Sequence, residues 1–401
     1  MQITHLELSN FRVYQEAWLA FEAPTTVIVG DNAQGKTSLL EAICLLVRTK
    51  SHRTSRDEEL IRWGSDQATC AGRFERKARG PVALRVVLLT PEAAQFLGSP
   101  AKQLAVNDQP VSGPRDVIGQ VSAVIFSPDD LALAKGDPDG RRRFLNVAIG
   151  QMQPVHLADL QQYRRALQQR TQMLAMVAEG RASPGQLNAW DQQVAKHGAE
   201  IVLARGEYVT DLARAAAHVH RELSAGAAEL TVRYKSSVWE EGGRQPASLE
   251  GAILTRLEAR RNREIALRRT LTGPHRDDVV LEVDGRELRR YGSQGQQRTA
   301  VLALRLGEAQ VARVRLNETP LVLLDDCLSE LDEGRARRVL EQAGADSQLI
   351  ITTTHLTEAL GRAGEVGVYQ VSEERDGAFS RRTSILGRSA GKGSVPFLAG
   401  E

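Results

Sequence analysis

Aromatic side chains are scarce in this chain of 401 residues: Phe, Trp and Tyr together make up 4%. A surface that grips a single nucleic-acid strand mainly by base stacking needs more of them. Cysteine is rarer still. Cys44, Cys70 and Cys327 lie far apart with no C-x-x-C pair, which excludes a zinc-ribbon pattern or a disulfide framework and fits a reducing compartment. No apolar run approaches the ~20 residues needed to cross a bilayer. The N-terminus, Met1 to Leu8, alternates like a strand and lacks the long apolar core of a signal peptide, so a cytoplasmic protein is expected. Excess charge is missing too: the formal net charge is +2, and no global positive field announces nucleic acid. The basic residues are 8 lysines and 44 arginines, a bias that genome base composition can produce, so no single Arg cluster counts as a binding signal. The length is too great for one compact core and implies two or three domains.

What is present is organised around Gly30-Asp31-Asn32-Ala33-Gln34-Gly35-Lys36-Thr37, a G-x-x-x-x-G-K-[ST] loop. The β-branched run Thr25 to Val29 precedes it as a buried strand, and Ser38 to Ile43 follows with the apolar face of a helix. Glycines let successive N–H groups point at anionic oxygens, and the helix N-terminus adds favourable dipole charge. Lys36 is expected to reach the β- and γ-phosphates of a nucleoside triphosphate and the Thr37 hydroxyl to ligate Mg²⁺.

Ahead of the loop, Ile3, Leu6 and Leu8 begin a hairpin whose turn holds Arg12 and Tyr14. These two either cover the nucleotide or decorate a surface turn. Residues 50–62 form a dense polar segment, a phosphate or DNA contact or else a solvated loop. Residues 68–126 read as short strands, and Ser127-Pro128-Asp129-Asp130 closes the last of them. From Leu157 the apolar positions fall at helical spacing through Leu160, Leu167, Leu174 and Val177, break at Pro184-Gly185, and resume from Leu187 to Val219. Two helices joined by a short turn are predicted, either an arm or simply a packed pair. Leu230, Val232 and Tyr234 alternate as a strand, and another helix is expected from about Ser248 to Arg269.

The second half of the chemistry follows. Pro320 to Leu324 is a buried-strand run ending in Asp325 and Asp326. Asp325 is expected to hold Mg²⁺ directly or through water, and Asp326 to orient or deprotonate the attacking water. Ser293, Gly295 and Gln296 open a helix and offer N–H groups to an anion. Leu349 to His355 is another core strand, and His355 is either a γ-phosphate contact or a capping or surface residue.

In this order the sequence resembles ABC-type ATPase heads of the SMC-like branch, and within them the RecF family of bacterial recombination mediators. The resemblance rests on NFRVY (10–14), GDNAQGKTSLLEAI (30–43), SHRTSRDEELIRWG (51–64), FSPDDLALAKGDPDGRRRFLN (126–146), TGPHRDD (272–278), YGSQGQQR (291–298), LLDDCLSELD (323–332) and ITTTH (351–355). It implies an α/β fold, an ABC-type head with a phosphate-loop core sheet and an antiparallel β subdomain, split by a coiled-coil-like helical arm. The divisions expected are 1–150 and 269–372 for the head, 151–268 for the arm and 373–401 for a flexible tail.

The resemblance also implies ATP sandwiched between two subunits. Gly30 to Thr37 of one, with Arg12 near them, hold the phosphates; Ser293, Gly295 and Gln296 of the other close over the γ-phosphate. Lys36, Asp325, Asp326 and His355 are then the catalytic group, with Asp326 where transporter ATPases usually carry Glu and His355 at the switch position. The implied function is slow, ATP-switched dimerisation on gapped or single-strand/double-strand junction DNA, with RecO- and RecR-like partners, to load recombinase in replication, repair and SOS-type response. Lys135, Arg141, Arg142, Arg143 and basic residues of the arm are candidate DNA contacts, positioning without reading sequence. Three rivals fit less well. A transporter ATPase would leave the arm unexplained, and a metabolic kinase the second anion-binding helix start. A structural SMC-like tether would need helices longer than about 35 residues, roughly 50 Å.

Overall fold

A computed structural model describes residues 1–239, 245–329, 331–344, 346–356, 360, 366–376 and 380–390. The strands are β1 Gln2–Phe11, β2 Tyr14–Ala20, β3 Thr25–Val29, β4 Gln67–Glu75, β5 Val82–Leu89, β6 Lys102–Val106, β7 Gln109–Val111 and β8 Ala123–Phe126. They continue with β9 Leu230–Lys235, β10 Asp278–Val283, β11 Arg286–Glu287, β12 Leu321–Asp325, β13 Leu349–Thr353, β14 Val366–Asp376 and β15 Ser380–Ala390. The chain divides into two compact units, one of residues 1–130 with 305–401 and one of residues 131–304.

In the first unit, β15-β14-β3-β13-β12-β8 form the nucleotide-side sheet, parallel except for β15 at its edge. Its central strands are buried along their length and mostly apolar, because a parallel sheet is covered on both faces. All five residues of β12 and of β13 are buried, and the polar ones, Asp325, Thr352 and Thr353, stand at the strand ends that reach the site. The second sheet, β2-β1-β4-β5-β6-β7, is antiparallel and alternates, as in the strict in–out pattern of β4. Helix Lys36–Arg48 is the layer between the sheets. Eleven of its thirteen residues are buried, and Leu39, Ile43 and Leu46 join side chains of both sheets in one core. This sandwiching explains why the helix shows no polar stripe after Glu41. Gly72 on β4 is there for space: a Cβ would come within 2.8 Å of Leu46.

The second unit is built on helices Pro138–Met152, Val155–Ala178, Asn188–Leu223 and Pro246–Leu267, with the small antiparallel sheet β11-β10-β9. The two seam helices exist as the spacing predicts, and Leu160, Leu174, Val194, Ile201, Tyr208, Leu212 and Val219 are buried. They do not stand as a bare hairpin, because Leu249, Ile253 and Leu257 of the third helix complete the same core. Its polar centre is Arg170, fully buried, whose guanidinium meets Asp191 at 2.6 Å, Glu264 at 2.7 Å and the Thr270 hydroxyl at 2.8 Å. Arg261 adds a bond to Asp191 at 2.8 Å.

The division falls elsewhere than the sequence suggests. The helical unit begins at Leu131 and runs to Leu304, so 269–304 belongs with it rather than with the head. The reason is local: β9 pairs with β10, and Arg141 grips Asp278, tying the return of the chain to helix Pro138–Met152. The expected flexible tail is partly strand. β14 adds to β3 in parallel and β15 pairs back along it. Gly391 to Ser394 of that expectation lie outside the described residues, as does Glu330.

Candidate functional site

The phosphate loop sits where β3 ends. Ala33 takes a positive φ of 66° and Gly35 one of 107°, the alternating handedness that turns successive N–H groups inward. Two glycines are demanded by close approach. A Cβ on Gly30 would lie 2.4 Å from the Val371 carbonyl oxygen, and one on Gly35 would lie 2.6 Å from Val13 Cγ2 and 2.9 Å from the Tyr14 hydroxyl. Gln34 braces the loop from within: its Oε1 accepts from the Asp31 N–H at 2.8 Å and its amide donates to the Asp31 carboxylate at 3.3 Å. Lys36 curls back and donates to the carbonyl oxygens of Gly30 and Asp31 at 2.6 and 2.7 Å. Burial lowers its pKa, and the carboxylates of Asp326, Asp325 and Asp31 work against that shift.

Opposite the loop is the end of β12. Asp325 Oδ1 accepts from the Thr37 hydroxyl at 2.9 Å and from the Thr352 hydroxyl at 2.7 Å. Burial raises the Asp325 pKa, and those two hydroxyls pull it down without cancelling the effect. Asp326 stands at φ 46°, its N–H given to Thr352, and its Oδ1 is buried with no hydrogen-bond partner among the described residues. A carboxylate oxygen left unpaired beside a hydroxyl and a second carboxylate makes a hard-oxygen donor set that suits a divalent cation.

Around these residues the surface closes into a cleft of about 400 Å³. Arg12, Asn32, Ala33, Gly35, Lys36, Thr37, Asp325 and Asp326 line it, with Val13, Ser38, Arg53, Glu59, Ile61 and Trp63. Arg12 is held there by fully buried Glu41, Nε and Nη2 donating to the two carboxylate oxygens at 2.8 and 2.7 Å. Burial pushes the Glu41 carboxyl up, but the hydrogen bonds from Arg12 and Ser51 and the charges of Arg12 and Arg53 outweigh it and hold it below its usual range.

The helix start at Ser293 belongs to the second unit. Ser293 Oγ accepts from the Gln296 N–H at 3.3 Å, while Gln296 Oε1 accepts from the Ser293 N–H at 2.9 Å, a reciprocal capping box on helix Gln294–Leu316. Ser293, Gln294, Gly295 and Gln296 are all exposed. His355 is exposed just beyond β13, its Nδ1 3.0 Å from the Thr354 hydroxyl; it is not among the residues lining the cleft.

The basic candidates separate. Arg141 is a structural residue and not a DNA contact: 5% exposed, it forks onto Asp278 at 2.7 and 2.9 Å and donates to the carbonyls of Leu133 and Gly136. Arg142 is largely committed to the Asp277 carbonyl and to Asp139. Lys135 and Arg143 are exposed. Sequence reasoning missed Thr352, whose hydroxyl orients Asp325, and Trp63 in the cleft wall, whereas Arg53 and Glu59 there come from the polar segment 50–62 that the sequence offered as a phosphate contact or a solvated loop. For Thr352 the signal was the strand register, which places it opposite Asp325.

Comparison with known proteins matches residues 2–378 to the RecF/RecN/SMC N terminal domain. A DNA replication and repair protein RecF of Geobacillus thermodenitrificans is 38% identical over 89% of this chain and 93% of its own length. That of Bacillus subtilis is 37% identical over 91% and 97%. A solved structure of the recombination mediator protein RecF-ATP in the RecFOR pathway superposes with TM-score 0.81 at 27% identity, covering 92% of this chain and 95% of that one. An Smc head domain from Pyrococcus furiosus, at 16% identity and TM-score 0.55 over 96% of each chain, shares the fold.

Proposed function

The chain belongs to the RecF family of DNA replication and repair proteins, within the RecF/RecN/SMC ATPases, and we propose that it is an ATP-switched DNA clamp of recombinational repair. The observation that carries this reading is the meeting of Lys36, Thr37, Asp325 and Asp326 in one cleft, while an exposed, pre-capped helix start at Ser293 is offered outward elsewhere. The loop N–H groups and Lys36 hold the triphosphate of ATP, which lets Lys36 exchange two carbonyl partners for phosphate oxygens. Thr37 and Asp325 are the residues that would hold Mg²⁺; hydroxyl and carboxylate oxygens fit that ion's preference, and the buried, unpaired Asp326 Oδ1 lines the same cleft. Bound there, the ion neutralises phosphate charge.

Ser293, Gly295 and Gln296 of a second copy close over the γ-phosphate, with His355 as its sensor. Hydrolysis is slow because an aspartate at 326 is one methylene shorter than the usual glutamate, and ATP acts as a switch for dimerisation. The dimer closes on gapped duplex or on single-strand/double-strand junctions in the cytoplasm and works with RecO- and RecR-like partners to load recombinase, serving replication and the SOS-type response. Lys135 and Arg143, with exposed basic residues of the helical unit, contact DNA phosphates.

Calorimetric titration with ATP and Mg²⁺, followed by binding of gapped duplex as a function of salt, tests the reading. ATP-dependent DNA binding with a steep salt slope is expected from counterion release. DNA binding indifferent to ATP would contradict it.

A further inference from the structure

Trp63 is the anomaly of the cleft. It is 94% exposed in a chain with four tryptophans, yet it stands in the same wall as Arg12 and Val13, with Lys36 and Thr37 lining the same space. No ring of the described residues stacks on it, whereas Trp18 packs on His5 and Trp239 on Tyr234. An indole left in water forgoes the burial that normally accounts for its position.

Its placement is rigid. Ile61, 6% exposed, bridges to fully buried Phe11; the Arg12 N–H donates to the Leu60 carbonyl and the Arg62 N–H to that of Asn10, each at 2.8 Å. Directly after this clamp, the Ser65 N–H returns to the Arg62 carbonyl at 3.0 Å, and Gly64 has φ 81°. That is a tight turn with glycine at its third position, the place where a type II turn requires positive φ. Nothing lies within 4 Å of a Cβ on Gly64, so conformation rather than crowding calls for glycine. The turn therefore presents Trp63 on a fixed tip over one side of the cleft.

We propose that Trp63 is the platform on which the base of the bound nucleotide stacks, with Lys36 and Thr37 taking its phosphates. This rests on the ATP reading above and deepens it by assigning the nucleoside end of the site. A π-face accepts any base, and purines overlap it more than pyrimidines. Stacking on Trp63 therefore strengthens ATP and GTP alike and CTP less; it adds nothing to a ligand without a base.

The test titrates ATP, GTP, CTP and inorganic tripolyphosphate into the full-length protein, its Trp63→Ala and Trp63→Phe variants, and Lys36→Met. Trp63→Ala is expected to weaken ATP and GTP by about fivefold or more, to weaken CTP less, and to leave tripolyphosphate unchanged; Trp63→Phe recovers most of the loss. ATP should also quench tryptophan fluorescence in the natural protein and not in Trp63→Phe. The platform is overturned if Trp63→Ala binds ATP as the natural protein does, or if it loses tripolyphosphate as severely as ATP, which would mark a structural role. Lys36→Met separates the two readings. Loss of both ATP and tripolyphosphate there leaves the phosphate site standing whatever Trp63 does. A natural protein that binds none of the four overturns both.

Discussion

Lys36 and Asp325 are each held in a state that costs the ligand-free protein something. Lys36 keeps a charge that burial opposes, on neutral carbonyl partners. Its replacement by Met removes charge-assisted bonds to phosphate and should weaken ATP roughly 10- to 100-fold, read by calorimetry. Asp325 has its pKa raised by burial. The sign follows: a carboxyl easier to protonate when folded supports folding only below its ordinary pKa and opposes it at neutral pH. Asp325→Asn should therefore raise the Tm of the nucleotide-free protein at pH 7 while ATP turnover falls. An unchanged or lower Tm would contradict the burial argument. Arg141 and Arg143 make the opposite pair. Arg141→Ala strands Asp278 and two carbonyls and should cost about 3–5 kcal/mol of stability, seen in denaturant titration. Arg143→Ala should leave stability within about 0.5 kcal/mol and reduce the salt slope of DNA binding by about one. Sequence could not separate these neighbours, because the partner that buries Arg141 lies on β10, 137 residues away.

At the scale of elements, the legible parts are those whose signal is contiguous. The phosphate loop, its strand and its helix are a single run, and β12 announces itself as an apolar strand ending in two carboxylates. What was not legible depends on pairing across the chain. β15 and the last residues of β14 fell in the expected loose tail because they are largely polar, and what makes them strands is β14's pairing along the edge of β3 and β15's return along β14. The helix Pro246–Leu267 and strand β9 were legible from their own periodicity, but that this helix closes the core of the seam pair and that β9 pairs with β10 was not, because both contacts are non-local. The helix start at Ser293 serves two ends that variants can divide. Ser293→Ala removes the cap and should cost about 1 kcal/mol, whereas Ser293→Asp keeps a cap acceptor. Neither Asp nor Arg at 293 can present the γ-phosphate with the serine hydroxyl. If Ser293→Asp retained both full stability and full ATP-driven dimerisation, the second role would fall.

For the whole molecule, stability should be acid-sensitive. His156 is buried and His52 and His275 are half-buried, and loss of solvent holds all three neutral, their pKa values pushed down to about 3, 4 and 4 from 6.5. A base with a depressed folded pKa stabilises above its unfolded pKa and loses that contribution as pH falls through the window down to its folded pKa. Between pH 6.5 and 4 each such group should remove about 1.4 kcal/mol per pH unit, visible as a falling Tm, and a flat profile down to pH 5 would refute it. The central claim concerns two molecules, since the loop and the capped helix start are proposed to meet across copies. Sedimentation of the purified protein with and without ATP and gapped duplex DNA tests it most directly. The account predicts a monomer that becomes a dimer with ATP, more completely with DNA, and a Ser293→Arg variant that still binds ATP but stays monomeric. A Ser293→Arg protein that dimerises normally with ATP, or a natural protein that remains a monomer under every condition, would contradict it.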